Sequence, residues 1–336
     1  MKKTFILGTA LALLAAGAAS AGTLDDVKAR GKLKCGVNAG LPGFAAPDAK
    51  GRWEGFDVAL CRAVAAAVLG DQDKIEFVPT TAETRFTALG SGEIDLLVRN
   101  TTWTFTRDVD LKFTFTGVNY YDGQGFMVKK ELGVTSAKEL DGATVCIQTG
   151  TTTEVNLADW FKQNKISYKP VPIQTEAEAS QQFLAGACDA YTTDASGLAA
   201  NRASYSNPSD FVILPEIISK EPLGPLVRQG DDPWADAVRW VFFALVAGEE
   251  YGIKSNNLDE MAKSDNPEVQ RILGIQGDLG KKLGLDNDWA KRAIAANGNF
   301  GEIFAKYLGE GTPINLARGL NAQWYQGGLQ YAPPFR

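Results

Sequence analysis

One supersecondary pattern occurs twice in this chain, and it constrains the fold more than any other feature. A short apolar strand at 33–37 ends at Asn38-Ala39-Gly40, and a stretch at 55–69 then carries Phe56, Leu60, Val64 and Val68 at helical spacing. A second strand follows at 75–78. Thr80, with Glu83 three residues on, predicts a capping box, and the helix it opens runs through Phe86 and Leu89 to Ser91-Gly92. A third strand is expected at 94–98. The second half repeats the order: a strand at 143–147, a helix from about Thr151 to Gln163, a strand at 168–173, a helix capped by Thr175 and Glu178, and a strand at 188–191. Runs of strand, helix, strand, helix, strand imply a parallel sheet, so the chain reads as two similar α/β lobes. Its 336 residues, about twice a typical domain, fit that division.

Composition narrows the chemistry. The chain has no histidine, which excludes serine–histidine and cysteine–histidine catalysis, histidine metal sites and zinc peptidases of the HExxH type. A formal charge of −6 without any basic cluster argues against nucleic acid and anionic lipid as partners. Lys2 and Lys3, an apolar run from Phe5 to about Ala18, and Ala19-Ser20-Ala21 follow the order of a secretory signal, with cleavage expected after Ala21. The run is shorter than the roughly 20 residues needed to span a bilayer. The apolar stretch at 234–247 is interrupted by Asp236 and Arg239 and reads as core, so no membrane insertion is expected. An exported chain meets an oxidising compartment, where four cysteines suggest disulfides. Four allow three pairings; the lobe assignment puts Cys35 with Cys61 and Cys146 with Cys188, and favours pairing within lobes.

In open α/β sheets, ligands bind beyond the carboxyl ends of the strands. Those ends lead into loops 38–44 and 99–107 in the first lobe, and 149–154 and 192–196 in the second. In the run Arg99-Asn100-Thr101-Thr102-Trp103-Thr104-Phe105-Thr106-Arg107, Arg107 can offer a bidentate fork to a carboxylate, or serve only a surface salt bridge. Residues 149–154 open a helix whose free N–H groups suit an anion, although Thr151 and Glu154 also have the spacing of a plain cap. Asp194 is a single carboxylate at a strand end, suited to an ammonium or to capping the next helix. Together, one arginine, one helix start and one aspartate match the charges of an α-amino acid.

At these residues the sequence resembles the periplasmic substrate-binding proteins of polar amino-acid ABC transporters, nearest to those of general L-amino-acid uptake. The segments "GFDVALCRAVAAAV", "RFTALGSGEIDLLVRNTTWTFTRD", "YYDGQGFMV", "QTGTTTEVNLADWF", "TTDASGL", "LPEIISKEPLGPLVRQGDD" and "GLNAQWYQGGLQYAPPFR" carry the resemblance, over about 22–336. It implies an α/β, two-lobed periplasmic binding protein fold of type II with two crossover strands. The first lobe would comprise 22–121, the second 122–219, and the return to the first lobe 220–336 with a helical C-terminal extension from about Leu226. Gly123 and Gly125 at one crossover, and Pro222, Gly224 and Pro225 at the other, fit a bounded hinge.

The resemblance places the carboxylate-binding arginine on Arg107, its assistant on Thr102 and the helix-start donor on Thr152. It places the ammonium contacts on Asp194, Thr102 and the carbonyl of Asn100. The chain departs from smaller members at Arg99, often serine there, and at Leu41, where an aromatic commonly stacks on the ligand. Arg85, Arg99, Trp103 and Phe44 are then the candidates for the side-chain pocket. The implied protein is a periplasmic, monomeric, non-enzymatic receptor without cofactor or metal. It would bind several polar L-amino acids, glutamate, aspartate and their amides among the best, and deliver them to a membrane permease with a separate ATPase, since the chain has no Walker A run. A dehydratase on the same fold, with Glu154 as general acid, and an amino-acid sensor are the rival readings.

Overall fold

The computed structural model describes residues 22–336, and the expected leader at 1–21 lies outside the described residues. The strands that organise it are β1 (Leu33–Asn38), β2 (Ile75–Thr80), β3 (Leu96–Leu97), β4 (Phe113–Phe115), β5 (Tyr120–Asp122), β6 (Gln124–Lys129), β7 (Ala143–Gln148), β8 (Tyr168–Ile173), β9 (Ala190–Asp194), β10 (Phe211–Ile213), β11 (Glu221–Leu223) and β12 (Leu226–Arg228). They form two five-stranded sheets, β2-β1-β3-β12-β4 and β8-β7-β9-β6-β10. In each, the repeated strand–helix units give three parallel strands, β1 flanked by β2 and β3, and β7 flanked by β8 and β9. Each sheet is completed by antiparallel strands that no repeat announces: β12 pairs with β3 and β4, and β6 with β9 and β10. The sheets are therefore mixed rather than parallel, as the sequence reading has them.

The lobes are joined by a ribbon. β5 leaves the first lobe, β11 returns to it, and the two pair antiparallel with Asp122 opposite Glu221 and Tyr120 opposite Leu223. Close backbone approach fixes the glycine beside it: a Cβ on Gly224 would lie 2.1 Å from the Gly117 carbonyl oxygen. Cys35–Cys61 and Cys146–Cys188 are disulfides with Cα separations of 6.2 and 5.5 Å, one in each lobe, so neither tethers one lobe to the other. Cys188 stands in the turn before β9 rather than on the strand.

Local signals resolve unevenly. Thr151 and Thr175 cap their helices, accepting from the N–H groups of Glu154 and Glu178. The box expected at Thr80 and Glu83 does not form. β2 runs on through Thr80, whose hydroxyl donates to the Val37 carbonyl, and the helix starts only at Arg85. Glu83 instead accepts from the Thr149 hydroxyl at 3.0 Å, across to the other lobe.

The C-terminal region departs from the expected helical extension at both ends. It begins with β12, inside the first sheet, before the long helix Asp232–Glu250. That helix and Trp289–Asn297 cover the buried helix Phe56–Leu69, extending the core of the first lobe. Beyond the helix Phe300–Tyr307 the chain has only short turns. Within them, the Asn321 side chain accepts from Tyr121 N–H and donates to Tyr121 C=O, so it clips onto the outer edge of β5. No described helix is long and apolar enough to cross a membrane.

Candidate functional site

A cavity lies between the lobes at the carboxyl ends of both parallel triplets, where a sheet of this kind leaves its loops free to bind. Asn38 closes β1, Arg99 and Asn100 follow β3, Gln148 closes β7, and Thr193 and Asp194 end β9. Asn100 turns the 99–107 loop with φ 42°, a left-handed conformation that asparagine tolerates better than most residues. The turn it makes aims the loop back so that Thr102 and Arg107 also face the cavity. The second lobe contributes residues 151–153 at a helix start.

The electrostatics divide by lobe. Arg85, Arg99 and Arg107 all come from the first lobe and are 2%, 4% and 6% exposed. Among the described residues none of them forms an ion pair. Their protein hydrogen bonds are few. Arg107 Nη1 donates to the Thr102 carbonyl at 2.8 Å, Arg99 Nε to the Thr80 carbonyl at 3.2 Å, and Arg85 Nη1 to the Thr101 hydroxyl at 3.4 Å. Arg85 Nε is buried without a partner. The Arg85 and Arg107 guanidinium groups both pack against the Phe86 ring, at 4.8 and 5.2 Å from its centre. Burial lowers the pKa of all three, and Arg107 falls to about 10 although Glu221 and Asp194 favour its charged form. A donor-rich, desolvated cluster of this kind suits carboxylate or carbonyl oxygens.

The second lobe presents the opposite sign. Asp194 and Glu176 line the same cavity. Asp194 stands at the N-cap of helix Ala195–Ser204 but makes no side-chain cap hydrogen bond, so its carboxylate is free of the structural duty that the sequence left open. Burial first, then the nearby Asp122, Glu221 and Glu176, raise its pKa well above the ordinary carboxylate range. Asp122, held by the Ser196 hydroxyl and the N–H groups of Ser196 and Gly123, is pushed up to about 6, also chiefly by burial. A bound cation would relieve this carboxylate cluster.

Of the candidates read from the sequence, Arg85, Arg99, Asn100, Thr102, Arg107, Thr152 and Asp194 come together on the cavity, while Phe44 and Trp103 do not. Phe44 is a core residue, packed edge-on against Phe56 and Tyr120. Trp103 lies at the surface, stacked on Phe115 at 5.3 Å, with its indole N–H donating to Asp108 at 2.7 Å. Leu41 lines the cavity in their place. Glu154 does not: it is exposed and accepts from Gly150 N–H as part of the helix cap. The sequence reading missed Asn38, Gln148 and Glu176 as side chains of the site. The first two were within reach of it, since each directly follows a strand that the sequence assigns, at 33–37 and 143–147. A second cavity of ≈ 180 Å³ adjoins the first and shares Asn38, Arg99, Gln148 and Glu176 with it. Its remaining walls are small or uncharged, among them Gly40, Thr80, Thr81, Gln174, Thr175 and Ala177.

A family model described as bacterial extracellular solute-binding proteins, family 3, matches residues 33–257. The chain belongs to this family. Along all of its length it is 68% identical to the whole of a glutamate/glutamine/aspartate/asparagine-binding protein, BztA, of Rhodobacter capsulatus. It is 58% identical to the general L-amino acid-binding periplasmic protein AapJ of Rhizobium johnstonii, over 98% of this chain and 97% of that one. Among solved structures, an ABC transporter periplasmic binding protein from Brucella ovis with glutathione bound superposes with a TM-score of 0.92 at 56% identity, covering 94% of this chain and all of that one. The two sheets joined by two crossover strands are thus the type II binding-protein architecture.

Proposed function

We propose that this protein is a periplasmic receptor for L-amino acids that closes its lobes on the ligand and delivers it to the permease of an ABC importer. The observation that carries the reading is the cavity itself, where three buried, unpaired guanidinium groups of one lobe face a raised carboxylate of the other. In this assignment Arg107 meets the α-carboxylate together with the N–H groups that open helix Thr152–Asn164. Asp194 and the Asn100 carbonyl meet the α-ammonium. Arg85 and Arg99 are left to donate to side-chain oxygens. That favours glutamate, aspartate and their amides, the ligands named for the Rhodobacter relative. Receptor rather than catalyst is supported by the absence of histidine and by the capping role of Glu154. A monomer, working with a separate ATPase after cleavage of a leader at Ala21, completes the reading.

Calorimetric titration of ligand-stripped protein with all twenty amino acids tests it. Glutamate, glutamine, aspartate and asparagine should bind within about a hundredfold of one another, a spread of about 2.7 kcal/mol. Absence of heat with every amino acid at millimolar concentration refutes the receptor. One amino acid bound a thousandfold tighter than the rest refutes its breadth. The second cavity favours a further reading, in which the same site takes an elongated ligand such as the glutathione of the Brucella structure, with its tail beyond Arg99. Glutathione added to the titration panel, in competition with glutamate, tests that.

A further inference from the structure

Glu221 acts on Arg107 and Asp194 through its field, but its own contacts have no part in the site as so far assigned. It stands on the returning crossover strand and is 1% exposed. Its Oε2 accepts from the hydroxyls of Thr102, at 2.6 Å, and Thr152, at 3.0 Å. Its Oε1 accepts from Asn156 Nδ2 at 2.7 Å and from the Ser219 hydroxyl at 2.6 Å. A carboxylate has about four lone-pair sites, and all four are taken. Thr102 comes from the first lobe, Thr152 and Asn156 from one helix of the second, and Ser219 and Glu221 from the crossover. One buried anion therefore ties together the three bodies that must move when the cleft opens.

The tie also fixes the polarity of two cavity-lining hydroxyls. Each threonine has a single hydroxyl proton, and the carboxylate takes both. The oxygens lie 3.3 Å apart, but neither keeps a proton for the other. What Thr102 and Thr152 turn to a ligand is lone pairs, which suit an ammonium. A ligand carboxylate must find its donors in Arg107 and in main-chain N–H groups.

We infer that Glu221 is a positioning residue: it latches the lobes in the closed arrangement and sets the Thr102 and Thr152 hydroxyls as acceptors. This rests on the reading of the cavity as an amino-acid site. Glu221→Gln keeps the volume but sets amide protons against hydroxyl or amide donors at one of the two former oxygens. The variant should bind glutamate and glutamine at least tenfold more weakly, by the same factor for both. The loss should lie in dissociation, measured by stopped-flow tryptophan fluorescence, with association within threefold of wild type. Paired spin labels, one on each lobe, should show a larger open population in the liganded variant. Asn156→Ala removes one donor from outside the cavity and should raise the dissociation rate in the same direction, which keeps the test available if Glu221→Gln does not fold. A dissociation rate within twofold of wild type overturns the latch. So does a lower unfolding midpoint of the ligand-free protein with dissociation unchanged, since that marks only a buried charge of the fold. If wild-type protein binds no amino acid, the receptor reading fails instead, and the interlobe distances of wild type and variant alone decide the latch: equal distributions refute it.

Discussion

Replacing Arg107 with alanine probes the charge-matching argument at its strongest point. Arg107 is 6% exposed, spends Nη1 on the Thr102 carbonyl and has no carboxylate partner among the described residues. Its loss removes a charge-assisted hydrogen-bonding fork, worth about 1.5–3 kcal/mol per bond to a charged group. It also leaves a ligand carboxylate desolvated without its partner, and breaking a buried pair in that way costs about 3–5 kcal/mol. Two effects work against the loss. Arg85 and Arg99 are relieved of a like charge, and Arg99 remains on the same cavity to receive the orphaned oxygens. The balance is about 3 kcal/mol, or roughly 150-fold in Kd. Titration calorimetry on ligand-stripped protein should show this loss equally for glutamate and glutamine, because the α-carboxylate is common to both. Arg107→Lys, which keeps the charge but not the fork, should fall between. A loss below threefold refutes the assignment. A loss confined to glutamate would move Arg107 to the side-chain carboxylate and leave the α-carboxylate to another donor.

Asp194→Asn should weaken glutamate but spare its des-amino analogue glutarate, and equal losses in parallel titrations would mean that Asp194 serves the fold alone. Ligand binding near pH 6 should release protons, because an ammonium beside Asp194 and Asp122 favours their ionised forms; heats measured in buffers of different ionisation enthalpy count them, and no release refutes the pairing. Asp57 is buried and its pKa is raised from 3.8 to about 7, so its contribution to stability is full below 3.8 and lost as pH rises through 7; in Asp57→Asn that part of the decline should vanish from thermal unfolding curves. Gly224→Ala should cost about 1–3 kcal/mol of stability, since its Cβ meets a backbone carbonyl that cannot step aside, whereas Gly311→Ala, with nothing within 4 Å, should unfold like wild type.

What the sequence made legible is what local chemistry determines. The strands expected at 33–37, 75–78, 143–147 and 168–173 follow from short apolar or β-branched runs between turn residues and form with at most two residues more. Strand-end geometry then led to Arg107 and Asp194, and the family resemblance to Thr152. The failures have tertiary causes. The patterns at Thr80/Glu83 and Thr151/Glu154 are alike along the chain, but only the second meets a free helix start. At the first, pairing with β1 carries the strand through Thr80. Phe44 and Trp103 were placed by their aromatic character near binding loops, while Phe56, Tyr120 and Phe115 offered each a better-packed partner. Glu221 was out of reach altogether. Its partners Asn156, Thr152 and Thr102 lie 65, 69 and 119 residues away, and nothing near it in the sequence marks a shared anion.

The division of charge between the lobes bears on how such a cleft selects its ligand. Opposite signs on facing surfaces attract, so closure without any ligand would be expected if the charges could meet directly. They do not: among the described residues the three arginines reach no carboxylate, and Asp194 reaches no cation, even with the lobes latched through Glu221 and Thr149 bonded to Glu83. Closing the bare faces would strip water from both sets of ions and return too little Coulomb energy for it, since desolvation of a buried ion costs several kcal/mol. A zwitterion of suitable length changes the balance, because its carboxylate and ammonium fill the gap with charges of the right order. The latch contacts, in which Glu221 and Glu83 accept from uncharged donors, set where the lobes stop, and the ion gap sets what must lie between them. Under the proposed assignment, selectivity for the α-amino-acid backbone would come from the distance between the two lobes, and breadth toward the side chain from Arg85 and Arg99.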